Sequence, residues 1–207
     1  MADALSRKGG WMQTHTGRMF WPLDPRPEDV DIEDIAHSLS QICRFTGHTR
    51  YFYSVAQHCV HVCEEVIRLL EADLRRGILL AGKTTLAEWG RGSVLHDADE
   101  TYTGDMHRVL KHHPDLLAFR IAGHRCQGAI FDHFEVPALI RDHPLITGVD
   151  AAIVINEGRD LLGPHPAPWG DRNGRIPDPI PNLVIEPWSP SGAKKAFLAT
   201  FERFARS

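Results

Sequence analysis

No run of 18 consecutive apolar residues occurs in the 207-residue chain, so no membrane span is expected. The opening residues, MADALSRKGGWMQTHTG, lack the apolar core of a secretory signal, which makes a reducing cytoplasm the expected compartment. Cysteine is scarce. Cys43, Cys59, Cys63 and Cys126 form no C-x-x-C pair, and a chain of this length can build a core without disulfides. Cys59 and Cys63 flank His61 at i,i+4, but the second pair of soft ligands that a zinc finger needs is missing, so they read as core residues. Surplus positive charge is also lacking. The chain has 23 basic and 27 acidic residues, a formal net charge of −4, which argues against a binder of nucleic-acid polymers. Composition is otherwise ordinary for a globular protein, with 43% hydrophobic and 24% charged residues. What the chain has in excess is histidine, 13 residues in all. Histidine is the commonest metal ligand and titrates near neutral pH.

The hydrophobic pattern is helical almost throughout. Residues 11–23 read as a short hairpin turning at Thr16-Gly17. Ile32, Ile35, Leu39 and Ile42 then recur with the period of an amphipathic helix. Ser54 is a suitable N-cap for a second helix reaching about Arg76, with Val55, Cys59, Val62, Cys63, Val66, Leu69 and Leu70 as its apolar stripe. A third helix is expected from about Thr85 to Thr101, although Gly90 and Gly92 are poor helix formers. Pro114 should open a fourth helix whose inner face carries Leu117, Ile121, His124, Phe131 and Phe134. A short helix is expected between Pro137 and Pro144, and another from Pro144 with Ile146, Val149, Ile153 and Val154. Seven prolines in the 24 residues from Pro164 to Pro187 exclude a regular helix there and leave room for a short strand at Leu183-Val184-Ile185. Ser189-Pro190 then opens a last helix with Ala193, Phe197, Phe201 and Phe204 on one face. The expectation is one mostly α-helical domain over 1–207: a hairpin at 11–23, a helical core at 33–162, a Pro-rich connection at 163–188 and a C-terminal helix at 189–205. Apolar stripes with Trp89 and Phe119 suit a homo-oligomer.

Four residues raise chemistry from this background. His96 and Asp97 are adjacent, His58 lies on the second helix, and Asp150 sits among apolar neighbours on a later one. Packed helices can bring such groups to one point in a bundle core. Two imidazoles and two carboxylates suit Mn, Fe, Co, Ni or Zn, and Mg less well. An octahedral ion held this way keeps two positions open.

The order His58 … His96-Asp97 … Asp150 resembles the signature of the HD-domain phosphohydrolase superfamily. The segments IEDIAHSLSQICRFTGH, FYSVAQH, LHDADETYTGD, the lysine of VLK and VDAAIVINEGRDLL are similar to its bacterial and prophage 5′-deoxynucleotidase branch, to which phage dATP triphosphohydrolases are related. The likeness runs from about Met12 to Leu162. The stretch from about Asp73 to Trp89 is longer than in the shortest relatives, and the glycines before the His-Asp pair are less typical. The resemblance implies an HD-domain helical bundle and one divalent ion (Co, Mn, Zn, Ni, Fe or Mg) on His58, His96, Asp97 and Asp150. It implies Glu100 as the carboxyl that acts on water or on the leaving oxygen, and Asp105 as a residue that positions the attacking water. It assigns Arg44 and Lys111 to the substrate's phosphate, Phe45 to the sugar face, His48 to a substrate contact, and Glu157 to a partner of Arg44 or Lys111. The implied activity is hydrolysis of deoxynucleoside monophosphates to deoxynucleoside and phosphate. A dNTP triphosphohydrolase, a cyclic-nucleotide phosphodiesterase and a non-catalytic nucleotide sensor are the alternatives. Arg108, Lys83 and Arg120 are the candidates to hold a longer phosphate chain.

Overall fold

The computed structural model describes residues 6–167, 169 and 176–205. It is mostly helical, with one small antiparallel hairpin near the N-terminus. Strands β1 (Met12–Gln13) and β2 (Met19–Phe20) pair Met12 with Phe20 and Gln13 with Met19. Gly17, at φ 86°, makes the expected turn between them. Thr16 in that turn donates twice to Asp34, through its backbone N–H (2.6 Å) and its hydroxyl (2.9 Å). This pins the hairpin to α1 (Ile32–Gln41) and satisfies a carboxylate that is otherwise buried.

Helix α2 (Val55–Arg75) is the axis of the bundle and packs against α1, α3 (Leu86–Val94), α7 (Pro144–Leu161) and α8 (Pro190–Ala205). Ser54 caps it as expected, accepting from the Gln57 N–H. Its stripe of Val55, Cys59, Val62, Cys63 and Val66 is wholly buried. Thr85 and Glu88 form a reciprocal capping box that starts α3.

The helix expected from Thr85 to Thr101 is instead two, α3 and α4 (Glu100–Thr103), with turns over 95–99. Gln127, on α6 (Leu117–His133), clamps the break: its Nε2 donates to the Leu95 carbonyl (2.6 Å) and its Oε1 accepts from the Asp99 N–H (2.8 Å). His96 and Asp97 therefore lie on a turn, not on a helix. The two glycines of α3 have a packing cause. A Cβ on Gly90 would lie 2.2 Å from the Phe204 ring of α8, and one on Gly92 would lie 2.4 Å from Ile140.

Further expectations need correction. A short helix α5 (Arg108–Lys111) occupies what was expected to be a loop, and turns rather than a helix join Pro137 to Pro144. A short 3-10 turn at Pro114–Leu116 precedes α6, which buries Gly123, Cys126, Ala129, Ile130 and Phe131 and leaves Leu117, Ile121 and His124 exposed. Its inner face is chosen by close approach: a Cβ on Gly123 would lie 2.8 Å from Asp99 Oδ2. Trp89 is core, 1% exposed, and donates through Nε1 to Thr84. It is thus not available as an oligomer contact.

No strand forms at Leu183–Ile185. The Pro-rich connection is held instead by helix side chains. Asn156 of α7 accepts from the Ile180 N–H and donates to the Ile180 and Leu183 carbonyls, and Asp160 accepts from the Ile185 N–H. From α2, Gln57 accepts from the Trp188 N–H (2.9 Å) and donates to the Glu186 carbonyl (2.8 Å). None of the helices among the described residues is long and apolar enough to cross a membrane.

Two predictions follow from this packing. Gly90→Ala should lower stability by about 1–3 kcal/mol, because the added methyl overpacks the α3–α8 contact. Gly128→Ala, on an open face of α6, should raise it by roughly 0.5–1 kcal/mol. Urea midpoints compare the two directly. The second prediction concerns His61, whose Nε2 lies 3.2 Å from Gln57 Nε2. With Gln57 oriented by the connection, this amide nitrogen is a donor and His61 must accept as a neutral ring. Burial, helped by the His58 charge, lowers the His61 pKa to about 4. The unfolded imidazole takes its proton near pH 6.5, so protons favour the unfolded chain. Stability should fall by about 1–3 kcal/mol as pH drops from about 6.5 to about 4, and His61→Gln should flatten that part of the pH profile of the urea midpoint.

Candidate metal centre

His58 sits at the end of the first turn of α2 and is completely buried. The turn between α3 and α4 brings His96 and Asp97 to it, and α7 brings Asp150. His58 Nε2 lies 3.1 Å from Asp150 Oδ1 and 3.8 Å from Asp97 Oδ2, and His96 Nε2 lies 3.4 Å from Asp97 Oδ2. The ligand atoms of His58, His96 and Asp97 all fall within 4.8 Å of one another, and this is the one such His/Cys/Asp/Glu group among the described residues. The two histidines are closed in. Asp97 and Asp150 keep 23% and 34% of their side-chain surface exposed, so the centre opens to solvent on its carboxylate side.

Hydrogen bonding fixes which nitrogen each ring offers. His58 Nδ1 donates to Glu157 Oε1 (2.6 Å), and His96 Nδ1 donates to the Ser93 carbonyl (2.8 Å). Both partners are acceptors only, so each Nδ1 carries a hydrogen, and Nε2 is the nitrogen each ring turns toward the carboxylates. Neither Nε2 makes a hydrogen bond, although both are buried. Two buried imidazole nitrogens turned toward carboxylates are suited to sharing a cation, which displaces any proton they carry. Nδ1 held by a carboxylate or carbonyl is the usual support of a metal-ligating histidine. The buried His58-His96-Asp97 cluster can therefore hold a metal ion.

The surrounding charges have the same sense. Burial opposes a charge on His96, but Asp97 and Cys59 outweigh it and raise the imidazole pKa well above its ordinary value. The local field thus favours positive charge at Nε2. Burial, with Asp97 and Asp105 nearby, raises the Glu100 pKa well above the carboxylate range. Glu100 Oε1 lies 3.4 Å from Lys111 Nζ, and its buried Oε2 has no partner.

Beneath the cluster lies Glu157, fully buried. Besides His58, it accepts from the Tyr53 hydroxyl (2.8 Å) and from Arg44, whose Nη2 is 3.2 Å from Oε2. Burial works against the Glu157 charge, but Arg44 and His58 outweigh it and hold the carboxyl at about 2. Arg44 also reaches Asp97 through Nη1, at 3.6 Å. It follows the bridge between Cys43 and Ser54 and begins a 3-10 turn over Arg44–Gly47. Phe45 and Thr46 in that turn adopt left-handed φ values of 55° and 53°, local strain of the kind that clusters at functional sites.

No protein-family model matches the chain. An uncharacterized protein of Rhodobacter capsulatus is 32% identical over 207 residues, covering 97% of this chain and 98% of that protein. The chain belongs to the same family as that protein. The uncharacterized protein YfdR of Escherichia coli K12 is 27% identical over 191 residues, covering 92% of this chain and 93% of YfdR. Both likenesses cover nearly the whole length of each protein.

The other expected residues divide. Arg44, Glu100 and Lys111 join the centre through the contacts above. Asp105 is half-buried in the loop after α4, and its charge acts on Arg44 and Glu100. Phe45 turns its ring toward Trp169. His48 is exposed, and its backbone N–H closes the 3-10 turn on Phe45. Cys59 and Cys63 are buried without forming a zinc cluster with His61; Cys63 donates to the Gly90 carbonyl. Sequence reasoning missed Tyr53 and Ser93, because a phenol and a carbonyl that serve another residue's acceptor or donor carry no motif.

Glu157→Gln should weaken Mn or Co binding about 10–100-fold, measured by calorimetry, because a neutral amide with one acceptor oxygen replaces the carboxylate that orients His58. It should also cost about 3–5 kcal/mol of stability by removing the nearer of the two carboxylates paired with buried Arg44. Tyr53→Phe, which keeps the carboxylate, should affect both far less.

Proposed function

We propose that this protein is a divalent-metal-dependent phosphohydrolase whose substrate is a deoxynucleoside 5′-monophosphate. The observation that carries this reading is the pair of buried Nε2 atoms without hydrogen-bond partners beside Asp97, with an arginine, a lysine and a partnerless carboxyl oxygen around them. The resemblance to HD-domain phosphohydrolases supplies the reaction class, and Asp150 completes the proposed ligand set.

A bound divalent ion polarises a phosphoryl oxygen and lowers the pKa of a water. The rest falls to the chain's own side chains. Arg44, held by Glu157, presents its guanidinium edge to the phosphate, and Lys111 adds a point charge. Asp105 orients the attacking water. As the water oxygen bonds to phosphorus, the P–O5′ bond breaks. Glu100 gives its proton to O5′ and regains one from the water that attacked. Its partnerless Oε2 is the atom suited to this exchange.

A monophosphate is supported over a triphosphate by the number of cations. Among the described residues only Arg44 and Lys111 pair with the acidic side chains around the centre, and Arg120 donates to the His112 carbonyl. A triphosphate carries more negative charge and would call for more partners.

The test is product analysis with purified protein, Mn, Co, Zn or Mg, and deoxynucleoside monophosphates, ribonucleoside monophosphates, dNTPs and cyclic nucleotides. Inorganic phosphate from the deoxynucleoside monophosphates is expected. Tripolyphosphate from dNTPs would replace the monophosphate reading with the triphosphohydrolase one. Binding without turnover would replace it with a nucleotide sensor. Glu100→Gln should lower kcat about 10²–10⁴-fold with metal content unchanged.

A further inference from the structure

The Pro-rich connection places an aromatic ring against Phe45, the neighbour of the arginine proposed to hold the phosphate. Trp169 stacks on Phe45, with ring centroids 6.0 Å apart and planes 27° apart, and meets His165 edge-on at 4.5 Å. The Arg44 guanidinium carbon in turn lies 5.7 Å from the Phe45 centroid. Arg44, Phe45 and Trp169 are thus successive neighbours leading away from the cluster. Trp169 also lines an apolar cleft of about 410 Å³, together with Ile155, His165, Pro166, Ala167 and Ile176.

A slot in α7 receives the indole. A Cβ on Gly158 would lie 2.7 Å from Trp169 Cζ3, 2.9 Å from Trp169 Cη2 and 2.9 Å from His165 Cε1. Any side chain at this position would push both rings away. The residue before Gly158 is Glu157, so the same turn of α7 orients His58 and seats Trp169. A ring at this place has the chemistry of a stacking surface: flat, polarisable and beside an apolar cleft wide enough for a heterocycle.

We propose that Trp169 is the specificity-determining residue that stacks the planar heteroaromatic end of the substrate, the nucleobase, while Arg44 holds its phosphate. The proposal rests on the reading of the site as a nucleotide phosphohydrolase. It makes the Pro-rich connection part of the substrate pocket, with Gly158 as the seat that positions the ring.

Binding to the full-length protein without added metal tests this, using two probes that differ only beyond the sugar: deoxyadenosine 5′-monophosphate and 2-deoxyribose 5-phosphate. Trp169→Ala should weaken the nucleotide roughly 5- to 100-fold by calorimetry and leave the sugar phosphate unchanged. Trp169→Phe should retain most of the affinity. Gly158→Ala should reproduce the Trp169→Ala pattern with the indole still in the chain. Equal losses for both probes, or no loss for the nucleotide, would overturn the stacking role while leaving the hydrolase reading intact. If the wild-type protein binds neither probe, the nucleotide reading itself falls and the stacking role falls with it. Thermal melting of each variant identifies a loss caused by unfolding.

Discussion

The carboxylate of Glu157 has no access to water, and an ionised carboxylate in such a place persists only if donors surround it. Three donors come from different parts of the chain: Arg44 from the turn after α1, Tyr53 from the residue before the N-cap of α2, and His58 from α2 itself. Each contact has a structural consequence. The arginine fork folds the strained 3-10 turn inward. The phenol and the imidazole lock α7 onto α2. The imidazole bond also determines which His58 nitrogen is left to face Asp97 and Asp150. Fold and centre are therefore coupled through one charge, because the interactions that compensate its burial also orient the ligands.

Under the proposed function a mildly acidic chain must accommodate an anionic substrate, and the charges around the centre bear on that requirement. The six carboxyl groups of Asp97, Asp99, Glu100, Asp105, Asp150 and Glu157 belong to this region, and the cations paired with them among the described residues are Arg44 and Lys111. Burial, with the Asp97 charge adding to it, raises the Asp99 pKa to about 6. The centre is thus short of positive charge by its own composition. A divalent ion would correct the shortage locally without altering the overall surface charge that argues against polymer binding.

Much of this was legible in the sequence, for physical reasons that differ by element. The α2 stripe and its Ser54 cap could be read because periodicity and capping are local. The third helix was misjudged because its end is decided by Gln127, 32 residues beyond Leu95, and no local signal reports a side-chain clamp from another helix. Gly90 and Gly92 looked like weakness by propensity and are required by contact with Phe204 and Ile140. The face of α6 was misread because apolar period marked Leu117 and Ile121, whereas close approach selected Gly123. The His58, His96 and Asp97 cluster was accessible as a pattern of residue types along the chain. Its support from Tyr53 and the Ser93 carbonyl was not, since these groups matter only through the bond they make.

The histidine surplus shows the same division between chemistry and scaffolding. His107, His113 and His143 each accept a backbone N–H at Nδ1 at the start of a helix or helical turn, from Val109, Asp115 and Leu145. Two of these precede a proline, at His113-Pro114 and His143-Pro144, where the ring takes the place of a serine or aspartate cap and proline fills the first helical position. His15 and His37 stack on each other at 3.5 Å, and His61 is tied to Gln57. In the caps the accepting nitrogen is Nδ1. In His58 and His96 the same nitrogen donates, which leaves Nε2 as the nitrogen facing carboxylates. The residue type is shared, but the direction of the Nδ1 bond separates the two imidazoles suited to a metal from those that cap helix starts.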